Sequence, residues 1–465
     1  MTAHVPVLVV GAGISGLACA YYLRKSGIDA HIVESSPRPG GMIRSERRDG
    51  YLLELGPQSF SSTLQLGELC RDLGIANDLV EAPPRAPRFL LLNGQLRQAP
   101  LSPPAFFTSS LFSLRTKASV LRDLIGHTKP PDSDESVAAF VRRKFSAELL
   151  DKLVGPFVSG IYAGDAEKLS LRAAFPQLHE AEQSTGSVIR GMLRSAKSKP
   201  KPRHKPTLQS FLDGNESLVK ALAVHLGPAL RCGMEVVSLQ HGGAVYRETG
   251  ARFVVDVKSE AGKDSIVADH LVLATPPNVV ATLLKSAREP VEEFRLSEIE
   301  FAPIAVVSLG YPKSAIGHSL DGFGYLIPRS EKLRTLGTVW NSSLFPNRAL
   351  EGHALLTSFI GGATDPGAVS PPTKDIADLV HRELVPILSV RQQPVFANVQ
   401  LYERALPQYN LGHLDRITRP SEYSFPCENL WLAGNYLRGP AIGGCIEQAK
   451  SIAQEICSHA VKGVV

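Results

Sequence analysis

Two kinds of pattern divide this chain. Residues 5–10 and 30–33 are short apolar runs, each typical of a strand that is buried on both faces of a parallel sheet. Residues 98–205 have mainly helical patterning, whereas residues 291–419 alternate β-rich apolar runs with turn clusters. The pattern predicts a protein with helices and strands, in which a β-rich unit and a helical unit interrupt a parallel α/β unit.

A glycine-rich turn follows the first apolar run. Gly11 is placed to make the tight turn, Gly13 to let the backbone approach a pyrophosphate, and Gly16 to let the next helix close against the sheet. The N-terminus of that helix favours an anion. Glu34 ends the second predicted strand, where an acid binds a ribose hydroxyl. We therefore predict a dinucleotide site. Its other predicted members in this region are Ile14, Ser15 and Ser35.

Composition limits the class of protein. With 465 residues, 43% of them hydrophobic and 20% charged, the chain is expected to form two or three globular domains. No apolar run approaches the roughly eighteen residues of a membrane span. Six scattered cysteines, without a CxxC pair or histidines at ligand spacing, predict reduced thiols and no metal site. Because no leader pattern is visible, we expect a cytoplasmic, bacterial protein.

The net charge of +5 is modest, but basic residues concentrate between prolines in the segment 197–206. The favoured interpretation is a solvated linker between domains. Attraction to anionic lipid headgroups is the alternative. Nucleic acid is disfavoured as a partner, because no aromatic residues are interleaved with these cations.

Further motifs carry a resemblance that extends over essentially the whole chain. Residues 37–45 contain two adjacent glycines between arginines, and residues 430–449 carry a strand, a glycine-rich turn and a helix. In these features the chain resembles the flavin-containing amine oxidase and protoporphyrinogen oxidase superfamily. Four strings, taken in order, point to its protoporphyrinogen oxidase branch. They are residues 155–165, 336–348, 355–362 and 405–409.

The resemblance implies an α/β fold, α+β overall, with three domains. A Rossmann-like FAD-binding domain would comprise residues 1–84, 225–290 and 420–465. A β-rich substrate-binding domain would comprise residues 85–97, 206–224 and 291–419. An inserted helical domain, residues 98–205, would associate with a membrane surface.

The resemblance also implies FAD as the cofactor and assigns further residues to its site. The helix after Gly443 would direct its positive dipole end to the flavin, which makes FAD a better hydride acceptor. An ordinary core helix remains the alternative for this segment. The remaining FAD positions are Arg38, Gly40, Gly41, Arg44, Gly56, Pro57, Val236, Thr275, Trp431, Gly434, Cys445 and Ile446.

The substrate that the resemblance implies is protoporphyrinogen IX, an apolar tetrapyrrole with propionates on one edge. Its pocket needs apolar walls and a cationic anchor. The implied walls are Leu326 and Val339 on one side and Phe359 on the other. Arg88 would bind a propionate, and the Gly160 carbonyl would face the pyrrole N–H groups. Gln58 stands where relatives commonly have asparagine, and with Gly160 it is our candidate catalytic residue.

The implied reaction is hydride transfer from a methylene bridge to flavin N5, followed by N–H deprotonation and tautomerisation. Three rounds yield protoporphyrin IX, and dioxygen reoxidises the flavin to give hydrogen peroxide. We also expect peripheral contact with the cytoplasmic membrane, a homodimer and hand-over of product to ferrochelatase. The apolar cluster at residues 104–114 could meet the membrane or fill the domain core.

Three rival functions remain open from the sequence. The nearest is a coproporphyrinogen III oxidase, which accepts four carboxylates on the same scaffold. A flavin amine oxidase is the second, although neither flanking aromatic residues nor a lysine near the flavin is identifiable. The third is a non-catalytic carrier of porphyrin or FAD, which turnover with dioxygen would exclude.

Overall fold

The computed structural model of the chain describes residues 3–198, 207–241, 252–287, 295–417 and 429–462. Most of the basic segment 197–206 lies outside the described residues, as does Cys427. The two interpretations of that segment therefore stay predictions.

Nineteen strands form four sheets within the described residues. They are β1 (Ala3–Val10), β2 (Ala30–Glu34), β3 (Ser45–Arg48), β4 (Tyr51–Glu54), β5 (Phe60–Ser61), β6 (Leu79–Glu81), β7 (Arg88–Leu92), β8 (Gln95–Gln98), β9 (Leu208–Phe211), β10 (Leu230–Cys232), β11 (Glu235–His241), β12 (Phe253–Ser259), β13 (Gly262–Leu273), β14 (Phe301–Pro312), β15 (Gly324–Leu326), β16 (Thr335–Val339), β17 (His353–Gly361), β18 (Phe396–Pro407) and β19 (Leu430–Leu432).

The α-helices surround these sheets, and a π-helical turn (Leu150–Val154) precedes the seventh. They are α1 (Ile14–Lys25), α2 (Leu64–Asp72), α3 (Pro103–Thr108), α4 (Leu114–Ile125), α5 (Val137–Lys144), α6 (Ala147–Leu149), α7 (Gly155–Tyr162), α8 (Leu171–Ala174), α9 (Pro176–Thr185), α10 (Val188–Ser198), α11 (Glu216–Leu226), α12 (Pro277–Ser286), α13 (Asn341–Leu344), α14 (Thr373–Leu388), α15 (His413–Ile417) and α16 (Ile442–Lys462).

The first sheet has the strand order β10-β2-β1-β13-β12-β11, and β19 also pairs with β13. β1 pairs in parallel with β2 and β13, so their carboxyl ends share one edge. Val7 and Val9 share an apolar cluster with α1 and α16, whereas Leu8 and Val10 share another with α12. Burial on both faces explains the continuous apolar run and confirms the predicted strand.

The second sheet has the order β18-β14-β17-β16-β15-β7-β8. Its pairs are antiparallel except for β7 with β15. One face packs on α14 through an apolar cluster that includes Val307, Tyr325 and Leu356 from the sheet and Val380 and Leu384 from the helix. The second sheet confirms the predicted β-rich unit. Because α14 covers one face of this sheet, its opposite face can contact other parts of the molecule.

The helical unit comprises α3 to α10 and has its own apolar core, which includes Phe140, Val158 and Leu171. Phe112 is buried in that core and its ring lies 4.8 Å from the ring of Phe106. This part of the 104–114 cluster therefore fills the domain core, while Leu114 is exposed. Within the described residues, no helix has both the length and the apolar character needed to cross a bilayer.

The segment 206–224 packs differently from its predicted place in the β-rich unit. β9 pairs with β5 and β6, not with the second sheet. Leu218 and Leu222 of α11 lie in the apolar cluster that contains α1. The apolar face of α11 could pack on the second sheet or on α1. The sequence pattern shows only that this face is buried, so it did not distinguish between these two neighbours.

Candidate active site

The glycine turn lies at the carboxyl end of β1. A Cβ added to Gly16 would lie 1.9 Å from the carbonyl oxygen of Gly11, so close packing requires glycine there. Gly13 differs, because its φ of −68° suits any residue and, apart from its chain neighbours, no atom of the described residues lies within 4 Å of an added Cβ. Gly13 is also the N-cap of α1, which receives no side-chain hydrogen bond. A side chain at Gly13 would thus fill only the space in which a diphosphate meets free N–H groups.

Glu34 lies beside this turn at the end of β2. Its carboxylate accepts hydrogen bonds from the backbone N–H groups of Ala12 at 2.7 Å and Ser36 at 2.8 Å, and from the Ser35 hydroxyl at 3.3 Å. Met234 donates its N–H to the Glu34 carbonyl at 2.8 Å, which brings the start of β11 and Val236 alongside. The structure therefore places Glu34, Ser35 and Val236 together, while their contacts with ribose and adenine stay predictions.

The second glycine loop closes over the first. Gly40 donates its N–H to the Ala12 carbonyl at 2.7 Å, and an added Cβ at Gly41 would lie 3.5 Å from the Cα of Gly13. The Arg38 guanidinium donates to the Gly41 carbonyl at 2.8 Å, and Arg44 pairs with a glutamate of β3 at 3.4 Å. Both arginines are half-buried beside the glycine turn, so they can supply positive charge there.

Gly56 and Pro57 form a third side of this region. An added Cβ at Gly56 would lie 2.0 Å from the Met42 carbonyl oxygen, so this strand end is in close contact with the glycine loop. Asn215 donates its side-chain N–H to the Pro57 carbonyl at 2.8 Å. The backbone around Gly56 is thereby held from both sides.

Gln58 is buried and its amide is fully engaged. Its Nε2 donates to the carbonyls of Glu54 and Gly56, both at 2.9 Å, and its Oε1 accepts from Asn341 Nδ2 at 2.7 Å. These bonds tie the Gly56 turn to α13. They give Gln58 a structural contact that the sequence did not reveal, and its catalytic role stays a prediction.

Glu54 forms a buried pair with Arg348, at 3.5 Å. Burial raises the pKa of Glu54 to about 7, and the charge of Arg348 opposes that rise. The pair joins β4 to the chain beyond α13, behind the Gly56 turn. It therefore links the two-stranded sheet of β3 and β4 to the chain that connects β16 to β17.

The C-terminal piece completes the edge. Ala433 donates its N–H to the Leu273 carbonyl at 3.0 Å, so the turns after β19 and β13 lie side by side. Burial raises the pKa of the Cys445 thiol, and a hydrogen bond with the Ser15 hydroxyl opposes that shift. That bond brings the first turns of α1 and α16 together. Two positive dipole ends therefore point to one edge of the sheet.

Other predicted residues of this edge are more deeply buried. Trp431, Cys445 and Ile446 have buried side chains, which leaves only their backbone for a cofactor. Gly434 donates its N–H to Gln448 at 3.0 Å, and an added Cβ at Gly443 would lie 2.7 Å from Thr63. Thr275 has a buried hydroxyl without a hydrogen-bond partner among the residues that the structure describes. That orphaned group is where a ligand atom is expected.

The predicted substrate residues share one face of the second sheet. Leu326 is paired with Gly337, which is paired with Phe359. The next row contains Arg88 opposite Gly324, which in turn is opposite Val339. Paired residues and residues two apart along a strand point the same way. All four predicted side chains therefore lie on the face opposite α14.

Helix α7 of the helical unit packs on this same face. An added Cβ at Gly160 would lie 2.8 Å from Cδ2 of Leu326. The Arg88 guanidinium lies 5.1 Å from the Phe323 ring centroid. Among the described residues, no carboxylate forms an ion pair with Arg88, so its charge is available to a ligand.

The sheet face and the glycine loop are close to each other. Tyr402 is paired with Ile304, on the same face as Phe359. Burial raises the pKa of Tyr402, and the charges of Arg38 and Arg44 lower it. Met42, between those two arginines, packs against the apolar cluster that contains Ile304. The face that carries the predicted substrate residues thus adjoins the dinucleotide edge.

Comparison with known proteins identifies the family. The sequence profile described as "Flavin containing amine oxidoreductase" matches residues 14–457. The chain belongs to that family. As a flavin-containing amine oxidoreductase it is an FAD-dependent oxidoreductase, and the glycine turns, the orphaned Thr275 hydroxyl and the paired helix N-termini fit that cofactor. No cluster of potential metal ligands occurs in the described part of the chain.

Curated relatives of this flavin-containing amine oxidoreductase include protoporphyrinogen oxidases and coproporphyrinogen III oxidases. The chain is 34% identical to the chloroplastic protoporphyrinogen oxidase of Nicotiana tabacum, over 98% of this chain and 86% of the relative. It is 28% identical to the coproporphyrinogen III oxidase of Bacillus subtilis (strain 168), over 97% of this chain and 98% of the relative.

Solved structures share the fold. A protein of Exiguobacterium sp. 255-15, provisionally assigned as a protoporphyrinogen oxidase, superposes with a TM-score of 0.77 at 25% identity, covering 98% of this chain and 99% of its own. Cyclohexylamine oxidase of Brevibacterium oxydans IH-35A gives 0.72 at 18% identity, covering 98% and 99%. The second likeness concerns the fold alone, and together they confirm the predicted fold class.

Sequence reasoning missed several residues that hold the FAD-binding edge in place. Asn341 and Tyr409 lie within strings that carried the resemblance, but their spacing gave no indication of a role. Asn215 and His413 carried no signal at all. Each acts through hydrogen bonds to residues distant in sequence, and such partners are invisible without the fold.

Proposed function

We propose that this FAD-dependent oxidoreductase converts protoporphyrinogen IX to protoporphyrin IX, with dioxygen as the electron acceptor. The observation that carries the proposal is the shared sheet face, on which an apolar surface ends at Arg88, a cation that has no ion-pair partner among the described residues. An apolar macrocycle with propionates on one edge needs that combination. The similarity to protoporphyrinogen oxidases over nearly the whole chain supports the same substrate.

The residues of the chain have distinct tasks in this reaction. FAD, when bound, accepts hydride from a methylene bridge of the substrate. Leu326, Val339 and Phe359 hold the macrocycle by apolar contact and exclude water. Arg88 fixes its orientation by pairing with a propionate. Gly160 lies in the last turn of α7, where carbonyl groups lack helical partners, so its oxygen can accept a pyrrole N–H.

Coproporphyrinogen III is the second candidate substrate, because a coproporphyrinogen III oxidase is similar to this chain over nearly its whole length. The two substrates differ in their number of carboxylates. Arg97 pairs with Leu90, which pairs with Leu326, so Arg97 lies on this face together with Arg88, and the preference between the two substrates does not follow from the number of cations there. This preference is the part of the proposal that most needs measurement.

The test compares both porphyrinogens in air with the purified protein. We expect porphyrin fluorescence to rise faster with protoporphyrinogen IX, together with hydrogen peroxide production. Arg88→Ala should raise KM for protoporphyrinogen IX about tenfold, since it removes a charge-assisted pair. Arg85→Ala, which changes a nearby exposed arginine, is the matched control.

Two other outcomes would change the proposal. Faster turnover of coproporphyrinogen III would reassign the substrate, and bound flavin without turnover of either compound would leave an amine oxidase or a carrier. A homodimer and hand-over of product to ferrochelatase stay predictions, for which sedimentation and product-transfer assays are the direct measurements.

We also propose that the helical unit contacts an anionic membrane surface from the cytoplasmic side. Leu114 and Ile125 of α4 are 83% and 82% exposed, and Leu193 on the adjoining α10 is 54% exposed. Basic residues on the same two helices can meet lipid phosphates. They are Arg115, Lys117, Arg122, Arg194 and Lys197.

Vesicle sedimentation tests this surface. Ile125→Gln should weaken binding to vesicles that contain anionic lipid, because it removes an apolar side chain from the interface. Val224→Gln is the matched control, since Val224 is also 82% exposed but lies on α11. Equal effects of the two changes would argue against a membrane surface at α4.

A further inference from the structure

The loop 435–439 connects β19 to α16 at the FAD-binding edge. One buried side chain holds both ends of this loop. The Tyr409 hydroxyl donates to the Asn435 carbonyl at 2.5 Å and accepts the N–H of Gly439 at 2.7 Å. A single hydroxyl therefore satisfies two backbone groups four residues apart and sets the curvature of the chain that enters α16.

His413 holds the middle of the same loop. Its Nε2 lies 2.8 Å from the Tyr436 carbonyl oxygen, which can only accept, so Nε2 carries the proton. The ring is fully buried and lies 4.2 Å from the Tyr409 ring. Tyr409 and His413 together bind three backbone groups of the loop.

The segment 409–413 is itself fixed to the helical unit. Ser170 donates its N–H to the Tyr409 carbonyl at 2.8 Å, and Leu411 donates its N–H to the Lys168 carbonyl at 2.8 Å. Gly412 donates its N–H to the Asp134 carboxylate at 2.9 Å. Because both sides are bonded, a change at residues 409–413 is expected to move the loop.

We propose that Tyr409 and His413 are positioning residues for the flavin, which hold the loop 435–439 so that the N-terminus of α16 keeps a fixed position at the FAD-binding edge. Both side chains are buried and bonded to the loop, so they act on the flavin through the backbone. The inference rests on the proposed function only through its flavin, and it does not depend on which porphyrinogen is oxidised.

The consequence is electrostatic. The N-terminus of a helix carries about half a positive charge, and its stabilising effect on an anion falls off within one turn. Reduced flavin carries more negative charge than oxidised flavin, so it gains more from that charge. Loosening the loop should therefore weaken the binding of reduced FAD more than that of oxidised FAD, which lowers the midpoint potential.

The test is the Tyr409→Phe change, measured on the FAD-loaded protein. It removes the hydroxyl and leaves the Asn435 carbonyl and the Gly439 N–H without their partner. We expect about a tenfold loss of preference for reduced over oxidised FAD, which equals a decrease of about 30 mV for a two-electron couple. FAD dissociation from the apoprotein, followed by fluorescence, should also be faster.

Tyr162→Phe is the matched control. Tyr162 is also buried and donates its hydroxyl to a backbone carbonyl, that of Ala174 at 2.9 Å, and its ring lies 5.6 Å from the Tyr409 ring. We expect this change to lower thermal stability and to leave the flavin potential unaltered. His413→Leu removes the other donor to the loop and should shift the potential in the same direction as Tyr409→Phe. It also serves if Tyr409→Phe does not fold.

Equal shifts in the two tyrosine variants, or no shift in Tyr409→Phe and His413→Leu, would overturn the positioning role. A failure of the proposed function would appear differently. The wild-type protein would then bind FAD without oxidising either porphyrinogen, while the potentials of the variants could still be compared.

Discussion

Two glycines of the FAD-binding edge meet backbone atoms, whereas the glycine of α7 that packs on the substrate face meets a side chain. At the edge, added Cβ atoms on Gly16 and Gly56 would lie 1.9 Å and 2.0 Å from backbone oxygens. On the substrate face, an added Cβ at Gly160 would meet the tip of the Leu326 side chain at 2.8 Å. Backbone cannot move aside without displacing a helix or strand, whereas a leucine tip can rotate.

This contrast separates the positions that fix the fold from those that can vary within it. Cyclohexylamine oxidase shares the fold at 18% identity. A cofactor edge made of close backbone contacts tolerates few changes of residue. Side chains such as Leu326 can change without moving that backbone, whereas added Cβ atoms on Gly324 and Gly337 of the same sheet would lie 2.0 Å and 2.5 Å from backbone oxygens.

The largest expected effect tests the FAD-binding edge. Gly16→Ala should lower the free energy of unfolding by more than about 3 kcal/mol, because its methyl meets the Gly11 carbonyl and α1 must shift. Gly13→Ala should leave the stability of the apoprotein unchanged and weaken FAD binding more than tenfold. Chemical denaturation and FAD titration measure the two quantities.

Gly13→Ala also serves as the control for Gly16→Ala, since it adds the same methyl at the same turn. If it destabilised the apoprotein as much as Gly16→Ala, the space beside Gly13 would not be reserved for a ligand. Retained FAD affinity in Gly13→Ala would contradict the predicted diphosphate position.

The next effect concerns His413, a side chain that holds the backbone of the FAD-binding edge in place. Burial lowers the pKa of His413 to about 4, and the hydrogen bond to the Tyr436 carbonyl opposes that shift. A histidine with a lowered pKa stabilises the folded state above its ordinary pKa, and this contribution is lost as the pH falls toward 4. His413→Gln should therefore reduce the acid destabilisation of the apoprotein by about 3 kcal/mol between pH 7 and pH 4.

Denaturation midpoints at a series of pH values give this difference. His225→Gln, which changes an exposed histidine on α11, is the control. An unchanged pH profile in His413→Gln would show that this histidine is not buried in its neutral form.

On the substrate face, Phe359→Ala should raise KM for protoporphyrinogen IX about tenfold, because it removes an aromatic contact with the macrocycle. The flavin absorption spectrum should stay the same, since Phe359 lies on the sheet and not at the FAD-binding edge. Phe359→Leu keeps apolar volume, so its KM for protoporphyrinogen IX should lie between those of the wild-type protein and Phe359→Ala. An unchanged KM in Phe359→Ala would count against the stacking role.

The smallest effect is expected for Gly160→Ala. Its methyl displaces only the tip of Leu326, so stability should fall by about 1 kcal/mol or less. KM for protoporphyrinogen IX should rise severalfold, because the methyl narrows the space between α7 and the sheet. Leu326→Ala in the same protein should restore part of the stability. A loss of FAD binding in Gly160→Ala would contradict the separation of the two regions.

The contrast also decides what could be predicted from the sequence. The turn at Gly11, Gly13 and Gly16 depends on residues close together in the sequence. Its spacing therefore predicted the strand before it, the helix after it and the position of Glu34 at the end of β2. The substrate face depends on pairing between Arg88 and Gly324, which are far apart in sequence. No periodicity encodes that register. Only the resemblance suggested that these residues act together.

Buried partners account for the remaining differences. The segment 206–224 packs on α1 because its apolar helix face matches that surface, a fact that depends on the fold. Gln58 accepts a hydrogen bond from Asn341, and Tyr409 donates one to the loop 435–439; both partners are distant in the sequence. Sequence patterns indicate which residues are buried but not the neighbours that they meet.

The adjacency of the first turns of α1 and α16 has a consequence for protein synthesis. These helices begin at Ile14 and Ile442, so the ribosome makes one near the start of translation and the other much later. At about 5 to 20 residues per second, the interval is roughly 20 to 90 s. During that time the glycine turn lacks its neighbour. The FAD-binding edge is therefore complete only after translation of nearly the whole chain.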